Sequence, residues 1–253
     1  MCEHDAKLSR RKALGSLCVL GAAGVLGRRL IDGGAMSAAF AASDGACVLA
    51  PEITVGPYFV DERLNRSDLT EDSSSIFIAD AAPLLLTVNV RSAAAACVPL
   101  VGVQIDLWQC HAGGLYSDEA ANGTLGQTWL RGYQVTDADG NVTFATVYPG
   151  WYPGRTIHIH LMARRFDGVG NATYEFTTQL YFNESINDAV MAKAPYNSRG
   201  VRTTTNSNDA FFSSSMLLAT QGNNDGSYTS AISLGLELEP HSDRIFATGF
   251  ETA

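Results

Sequence analysis

The sequence predicts an all-β fold, a sandwich or a barrel, on three observations. Beyond residue 80 the chain is a succession of short segments with apolar residues at every second position, the period of a strand with one buried face. Clusters of Gly, Pro, Asn and Asp stand between these segments, where turns are required. Between the N-terminal segment and residue 184, no stretch repeats its apolar residues at helical spacing.

Taken in order, "PLLLTVNVR" puts Leu86, Val88 and Val90 on one face. "GVQIDLWQC" sets Val103, Ile105 and Leu107 against Gln104, Asp106 and Trp108. "RGYQVTD" and "NVTFATV" flank Asp137-Ala138-Asp139-Gly140, which has the residues of a tight hairpin turn. "RTIHIHLMA" and "YEFTTQLYF" read as two further strands, residues 184–194 as a short helix, and Ile232 to Leu238 as a last apolar strand. Residues 44–70 show little periodicity and read as an ordered arm laid over the domain.

Residues 1–42 read as a targeting segment. Arg10-Arg11 precedes a short Gly- and Ala-rich apolar run, and "AAFAAS" offers a small-residue cleavage site. The pattern fits twin-arginine export to the periplasm or beyond, and the run is too short for a comfortable membrane span. A domain over 43–238 and a tail over 239–253 follow from this division. Of 17 basic and 26 acidic residues, the segment takes six and three, leaving 11 and 23 and a net charge of −12. So acidic a surface repels phosphate backbones and argues against a nucleic-acid partner. No stable membrane insertion is expected after cleavage. Beyond the segment lie Cys47, Cys97 and Cys110. Cys47 and Cys97 fall outside the strongest strand patterns and are paired here as a disulfide. Cys110 ends a strand and is read as a buried thiol.

The chemistry concentrates in "YPGWYPGRTIHIHL". Strand alternation places His158 and His160 on one face and Ile157, Ile159 and Leu161 on the other. Two imidazoles so spaced can reach one metal ion, although such a pair alone is more often two polar residues facing water. Pro and Gly force a loop just before, which carries Tyr152 to the strand start six residues from His158. Upstream, "DLWQCHAGGLYSD" runs from a strand through a Gly-Gly turn to Tyr116. A tyrosine from each loop can complete a four-ligand set. His111 and Cys110 are poorer candidates, and His111 is read as rim or supporting residue. Trp108 is read as core or pocket wall.

The segments "DLWQCHAGGLYSD", "RGYQVTDADGNVTFATVYPGWYPGRTIHIHL" and "TTQLYF", in this order, resemble the intradiol ring-cleavage dioxygenases. The resemblance is strongest to the catalytic domain of protocatechuate 3,4-dioxygenase and its secreted single-domain relatives. It covers about residues 46–185, with "GPYF" at Gly56–Phe59 as a weaker match. It implies a two-sheet β-sandwich of mainly antiparallel strands with long loops and an N-terminal arm. It also implies one mononuclear non-haem Fe(III), ligated by Tyr116, Tyr152, His158 and His160, and a catechol-type substrate opened by O₂ between its hydroxylated carbons. Tyr152 is then also the oxygen that gives way to substrate and takes its proton. Arg155 becomes a catalytic cation beside the ring, and Gln179 a polar residue of the pocket. Tyr58, Leu115, Trp151 and Gly154 become its substrate-facing border. Oligomeric state and the particular catechol are left open.

The rival reading is a non-catalytic secreted β-sandwich that binds a partner. A cupin would carry a glutamate shortly after the second histidine, where "LMARRFDG" has none, and no Gly-x-Ser-x-Gly suggests a hydrolase.

Overall fold

A computed structural model describes residues 47–71 and 75–240. Two four-stranded sheets make up the domain. The first has strand order β4-β1-β8-β7, the second β3-β2-β5-β6. Here β1 is Pro83–Ser92, β2 Gln104–Trp108, β3 Arg131–Val135 and β4 Asn141–Val147. The others are β5 His158–Phe166, β6 Ala172–Tyr181, β7 Ala219–Gly222 and β8 Tyr228–Leu236. All pairings are antiparallel except β1 with β8. The fold is thus the two-sheet sandwich expected. Two short helices, α1 (Ile76–Ala79) and α2 (Glu184–Met191), lie outside the sheets.

The core follows from alternation. Leu86, Val88 and Val90 of β1 and Ile105 and Leu107 of β2 are fully buried or nearly so, as are Ile159 and Leu161 of β5. All belong to one apolar cluster between the sheets. Burying each such side chain stabilises the fold by roughly 1.5–3 kcal/mol. The second face of β2 and β5 therefore points outward from the core. There the register sets Trp108 opposite His160, and Asp106 opposite Met162. On the other side of β5, Gln179 of β6 stands opposite His160 and Tyr181 opposite His158.

The N-terminal arm covers this second face. It is pinned by single bridges, Leu49 to Gly235, Asn65 to Tyr133 and Asp68 to Ala145. A Cys47–Cys97 disulfide closes its start, and Cys110 is a buried free thiol, both as expected. Arg164 grips the arm from β5. Its guanidinium meets both oxygens of Asp106, at 2.9 and 2.7 Å, and both of Asp61 in the arm, at 2.9 and 3.3 Å. The buried Arg131 donates to the Tyr58 carbonyl of the arm at 2.6 Å.

Four expectations are adjusted. The Asp137–Gly140 turn forms, with Gly140 N–H on the Asp137 carbonyl at 3.0 Å. It does not close a hairpin, because β3 lies in one sheet and β4 in the other. The turn chemistry is local, and sheet membership is decided by distant partners. Helix α1 was not expected. It is one turn long, too short for a periodicity to show. The last strand begins at Tyr228, earlier than its most apolar part. The helix near 184–194 ends at Met191. Residues 1–42, and most of the 239–253 tail, lie outside the described residues. Among the described residues no helix is long and apolar enough to cross a membrane.

Candidate metal centre

Two loops and one strand build the site. The first loop leaves β2 and runs through Gly113-Gly114 to Tyr116; the second runs from Tyr148 to Arg155 and enters β5. They meet backbone to backbone. A Cβ on Gly114 would lie 2.1 Å from the Trp151 carbonyl oxygen, and one on Gly150 would lie 2.3 Å from that of Ala112. Gly114 also has φ +77°, which few side chains tolerate. Glycine at these two points lets the tyrosine loops touch.

His158 is oriented by its own strand entrance: Nδ1–H donates to the Thr156 carbonyl at 2.6 Å. That assigns the proton to Nδ1 and leaves a lone pair on Nε2. Nε2 faces the Tyr152 hydroxyl at 3.0 Å and the His160 Nε2 at 3.1 Å. The His160 ring stacks on Trp108, centroids 4.8 Å apart and 11° from parallel. The Tyr116 ring stands edge-on to Tyr152 at 5.8 Å and to His160 at 6.1 Å. Its hydroxyl is buried and has no hydrogen-bond partner.

Burial dominates the electrostatics. It pushes His158 down to about 3 and His160 well below the usual imidazole range, with nearby positive charge adding to both shifts. It raises the Tyr152 phenol, and it raises that of Tyr116 well above the ordinary value, the neighbouring Tyr152 adding to the effect. In the protein alone burial therefore favours the neutral form of all four groups, two imidazoles and two phenols.

These residues fit a metal ion. A buried orphan hydroxyl and two ring nitrogens at 3.1 Å, with one lone pair assigned, are costly unless a shared cation satisfies them. The donor set would be two imidazoles and two phenols, and phenolate oxygen prefers a hard ferric ion. A bound cation also deprotonates its ligands, which reverses the effect of burial on the phenols. Among the described residues no group of three or more His, Cys, Asp or Glu is arranged to hold a metal.

Around the four candidates, Tyr58 from the arm stacks on Tyr116 at 4.4 Å and lies edge-on to Tyr152 at 6.0 Å. Arg155 donates from Nε to Asp209 at 2.9 Å and from Nη2 to the side-chain oxygen of Gln179. The Gln179 amide nitrogen lies 3.4 Å from His160 Nδ1. Gly154 is exposed, and a Cβ there would meet only open space. Leu115 is half-buried on the first loop, its carbonyl accepting from His111 N–H at 2.9 Å. Trp151 packs with the sandwich core, its indole N–H buried and unpartnered. His111 is not at the rim. It is buried between Phe77 and Trp129, stacked on each at 5.1 and 4.9 Å.

Sequence reasoning missed Asp209, Arg131 and Tyr181. Tyr181 donates to the Phe211 carbonyl at 2.7 Å and reaches Gln179 Oε1 at 3.0 Å. Arg131 joins the arm to the Tyr116 loop, donating also to the Ser117 carbonyl at 2.6 Å and hydroxyl at 2.9 Å. A buried arginine has no local signature. The only signal was that "RGYQV" begins a strand with a charge.

Comparison with known proteins bears on the family. Residues 54–219 match the model of the family described as Dioxygenase. An intradiol ring-cleavage dioxygenase from Tetranychus urticae is 29% identical, covering 78% of this chain and 98% of that one, with a TM-score of 0.65. The dioxygenase domain of a dioxygenase–carbohydrate-binding protein fusion from the cellulolytic bacterium Streptomyces sp. SirexAA-E is 30% identical. It covers 76% of this chain and 100% of that one, with a TM-score of 0.54. Catechol 1,2-dioxygenase of Candida albicans is 41% identical over 55 residues, and this match spans 22% of the chain and only 18% of that protein's length. With residues 54–219 matched by the family model and a 30% identical dioxygenase domain covered along its whole length, the chain belongs to the intradiol ring-cleavage dioxygenase family.

Proposed function

We propose that this protein opens a catechol-type ring between its two hydroxylated carbons, adding both atoms of O₂ to give a muconate-type diacid. One ferric ion would be held by Tyr116, Tyr152, His158 and His160. The observation that carries the reading is the convergence on His158 Nε2 of the Tyr152 hydroxyl at 3.0 Å and His160 Nε2 at 3.1 Å, beside the orphan Tyr116 hydroxyl. When bound, ferric iron supplies a hard Lewis acid that acidifies phenols and catechol hydroxyls alike.

The residues of the chain divide the remaining work. Tyr116 is the more deeply buried phenol and stays in place, stacked under Tyr58. Tyr152 is the less buried one, and its oxygen gives way to the substrate and takes up one catechol proton, as a general base. His158 keeps its lone pair directed inward through Thr156. Arg155, fixed by Gln179 and Asp209, sets positive charge where negative charge develops on the opening ring. Tyr58, Leu115, Trp151 and Gly154 form the border of the ring pocket. The reaction balances with catechol and O₂ alone, so no external reductant is required. The catechol that fits, and a location outside the cytoplasm reached through the Arg10-Arg11 segment, complete the reading.

The test is the visible spectrum of iron-replete protein, with an anaerobic titration by a panel of catechols and an oxygen-uptake assay. Tyrosinate-to-iron charge transfer should colour the protein red-brown, and one catechol should shift the band and then consume O₂. Colourless protein without iron, when iron was plentiful, would leave only the binding-module reading.

A further inference from the structure

Arg155 is gripped by a residue far along the chain. Asp209 lies between the 3-10 turns Tyr196–Arg199 and Ser214–Met216. Its side chain is 0% exposed, against 15% for its partner Arg155. Its Oδ2 accepts two hydrogen bonds, from Arg155 Nε at 2.9 Å and from the Thr156 N–H at 2.7 Å. Its Oδ1 accepts from the Phe211 N–H at 2.8 Å. The Phe211 ring lies under the guanidinium, 4.7 Å from Cζ, and the Phe211 carbonyl takes the Tyr181 hydroxyl. The guanidinium is thus held at Nε by Asp209, on one face by Phe211 and at Nη2 by Gln179.

Burial by itself raises the Asp209 carboxyl. The N–H groups of Thr156 and Phe211 and the charge of Arg155 outweigh that and hold it below the usual carboxylate range. It is therefore an anion at neutral pH. The same oxygen that holds Arg155 also holds Thr156, the residue whose carbonyl orients His158. One carboxylate oxygen thereby couples the cation beside the ring to the aim of a metal-facing imidazole. An isolated surface ion pair contributes little, but a buried carboxylate with three donors fixes geometry.

We infer that Asp209 is a positioning residue for ring cleavage, acting through Arg155 and Thr156 and touching neither substrate nor metal itself. The inference rests on the dioxygenase reading above. Without Asp209 the guanidinium keeps only Gln179 and the Phe211 face to hold it, and a charge misplaced by about 1 Å already costs large factors in rate.

The experiment compares wild type, Asp209→Asn, Arg155→Ala and the double variant, with Asn208→Ala as a control. Asn208 lies in the same loop and bonds only Thr205 there. Four quantities are measured: kcat, KM, anaerobic affinity for 4-nitrocatechol, and the thermal midpoint. Asp209→Asn should lower kcat by about tenfold or more, with 4-nitrocatechol affinity within about twofold of wild type. In the Arg155→Ala background the same change should add clearly less than its loss in wild type, what remains running through Thr156. Asn208→Ala should keep wild-type kcat whatever it does to the thermal midpoint. Where Asp209→Asn does not fold, Asp209→Glu keeps the charge, moves it by one methylene, and is read in the same way. Wild-type kcat in either Asp209 variant, or losses that add in the double variant, overturn the inference and leave the dioxygenase reading standing. A wild-type protein that turns over no catechol overturns both.

Discussion

At the scale of single residues, the site is a problem of unsatisfied atoms. The Tyr116 hydroxyl is buried with no partner, a loss of about 1–3 kcal/mol if nothing ever met it. Tyr116→Phe should therefore leave the iron-free protein as stable as wild type or more so, while abolishing most of the visible band. Thermal melts of apoprotein and the spectrum of reconstituted protein check the two halves. Tyr152→Phe should keep part of the iron and colour but lower kcat by about a hundredfold or more, as loss of a general base does. Full turnover with unchanged colour in Tyr152→Phe would show that another oxygen yields to the substrate. Arg131 is a different case. It donates to two carbonyls and a hydroxyl from a buried position, so Arg131→Met should cost about 2–4 kcal/mol in urea unfolding. Alternation showed that His158 and His160 share a face, but the joint reading of these histidines with Tyr116 and Tyr152 came only from the neighbouring loops and the family pattern. Asp209 was not legible, because its partners Arg155 and Thr156 lie more than fifty residues upstream and nothing in "NSNDAFF" hints at them.

At the scale of elements, the two tyrosine loops depend on their glycines more than on their tyrosines. Gly114→Ala would drive a methyl into the Trp151 carbonyl at a positive φ. It should separate the loops, lower iron content well below one per chain, and destabilise by about 2 kcal/mol or more. Iron analysis and a chemical melt on the same preparation test this. The arm behaves otherwise. Asp61 is partly exposed, and Arg164 keeps Asp106 when Asp61 is lost. Asp61→Asn should accordingly cost under about 1 kcal/mol, with the arm cut faster by protease. The strands of the core were legible because each has one apolar face. The Asp137–Gly140 turn shows where such reading ends: its residues specify a reversal, and only the pairing of β3 with β2 and of β4 with β1 decides that the reversal crosses between sheets.

At the scale of the whole molecule, stability should depend on acid and on the disulfide. His111 is held to about 4 by burial, against an ordinary value of 6.5. A base with a depressed folded value is neutral when folded but takes a proton when unfolded, so stability is complete above pH 6.5 and falls as pH drops toward 4. His158 and His160 add to this slope in iron-free protein. Urea melts of apoprotein at pH 7 and pH 4.5 should therefore differ, and His111→Gln should flatten the difference without removing it. The Cys47–Cys97 bond closes a 50-residue separation, and its removal by paired Cys→Ala changes should cost about 2–4 kcal/mol. The parallel pairing of β1 with β8 reaches furthest. It joins Asn89 to Ser233 across 144 positions, with every other strand between them in the sequence. During synthesis, β1 can pair with β4 early, but it must wait for nearly the entire domain to be made before its second neighbour, β8, exists. Closure of that sheet is then a late, slow event set by topology rather than by local preference, and a ribosome stalled before Leu236 would carry a nascent chain with a bare, adhesive strand edge.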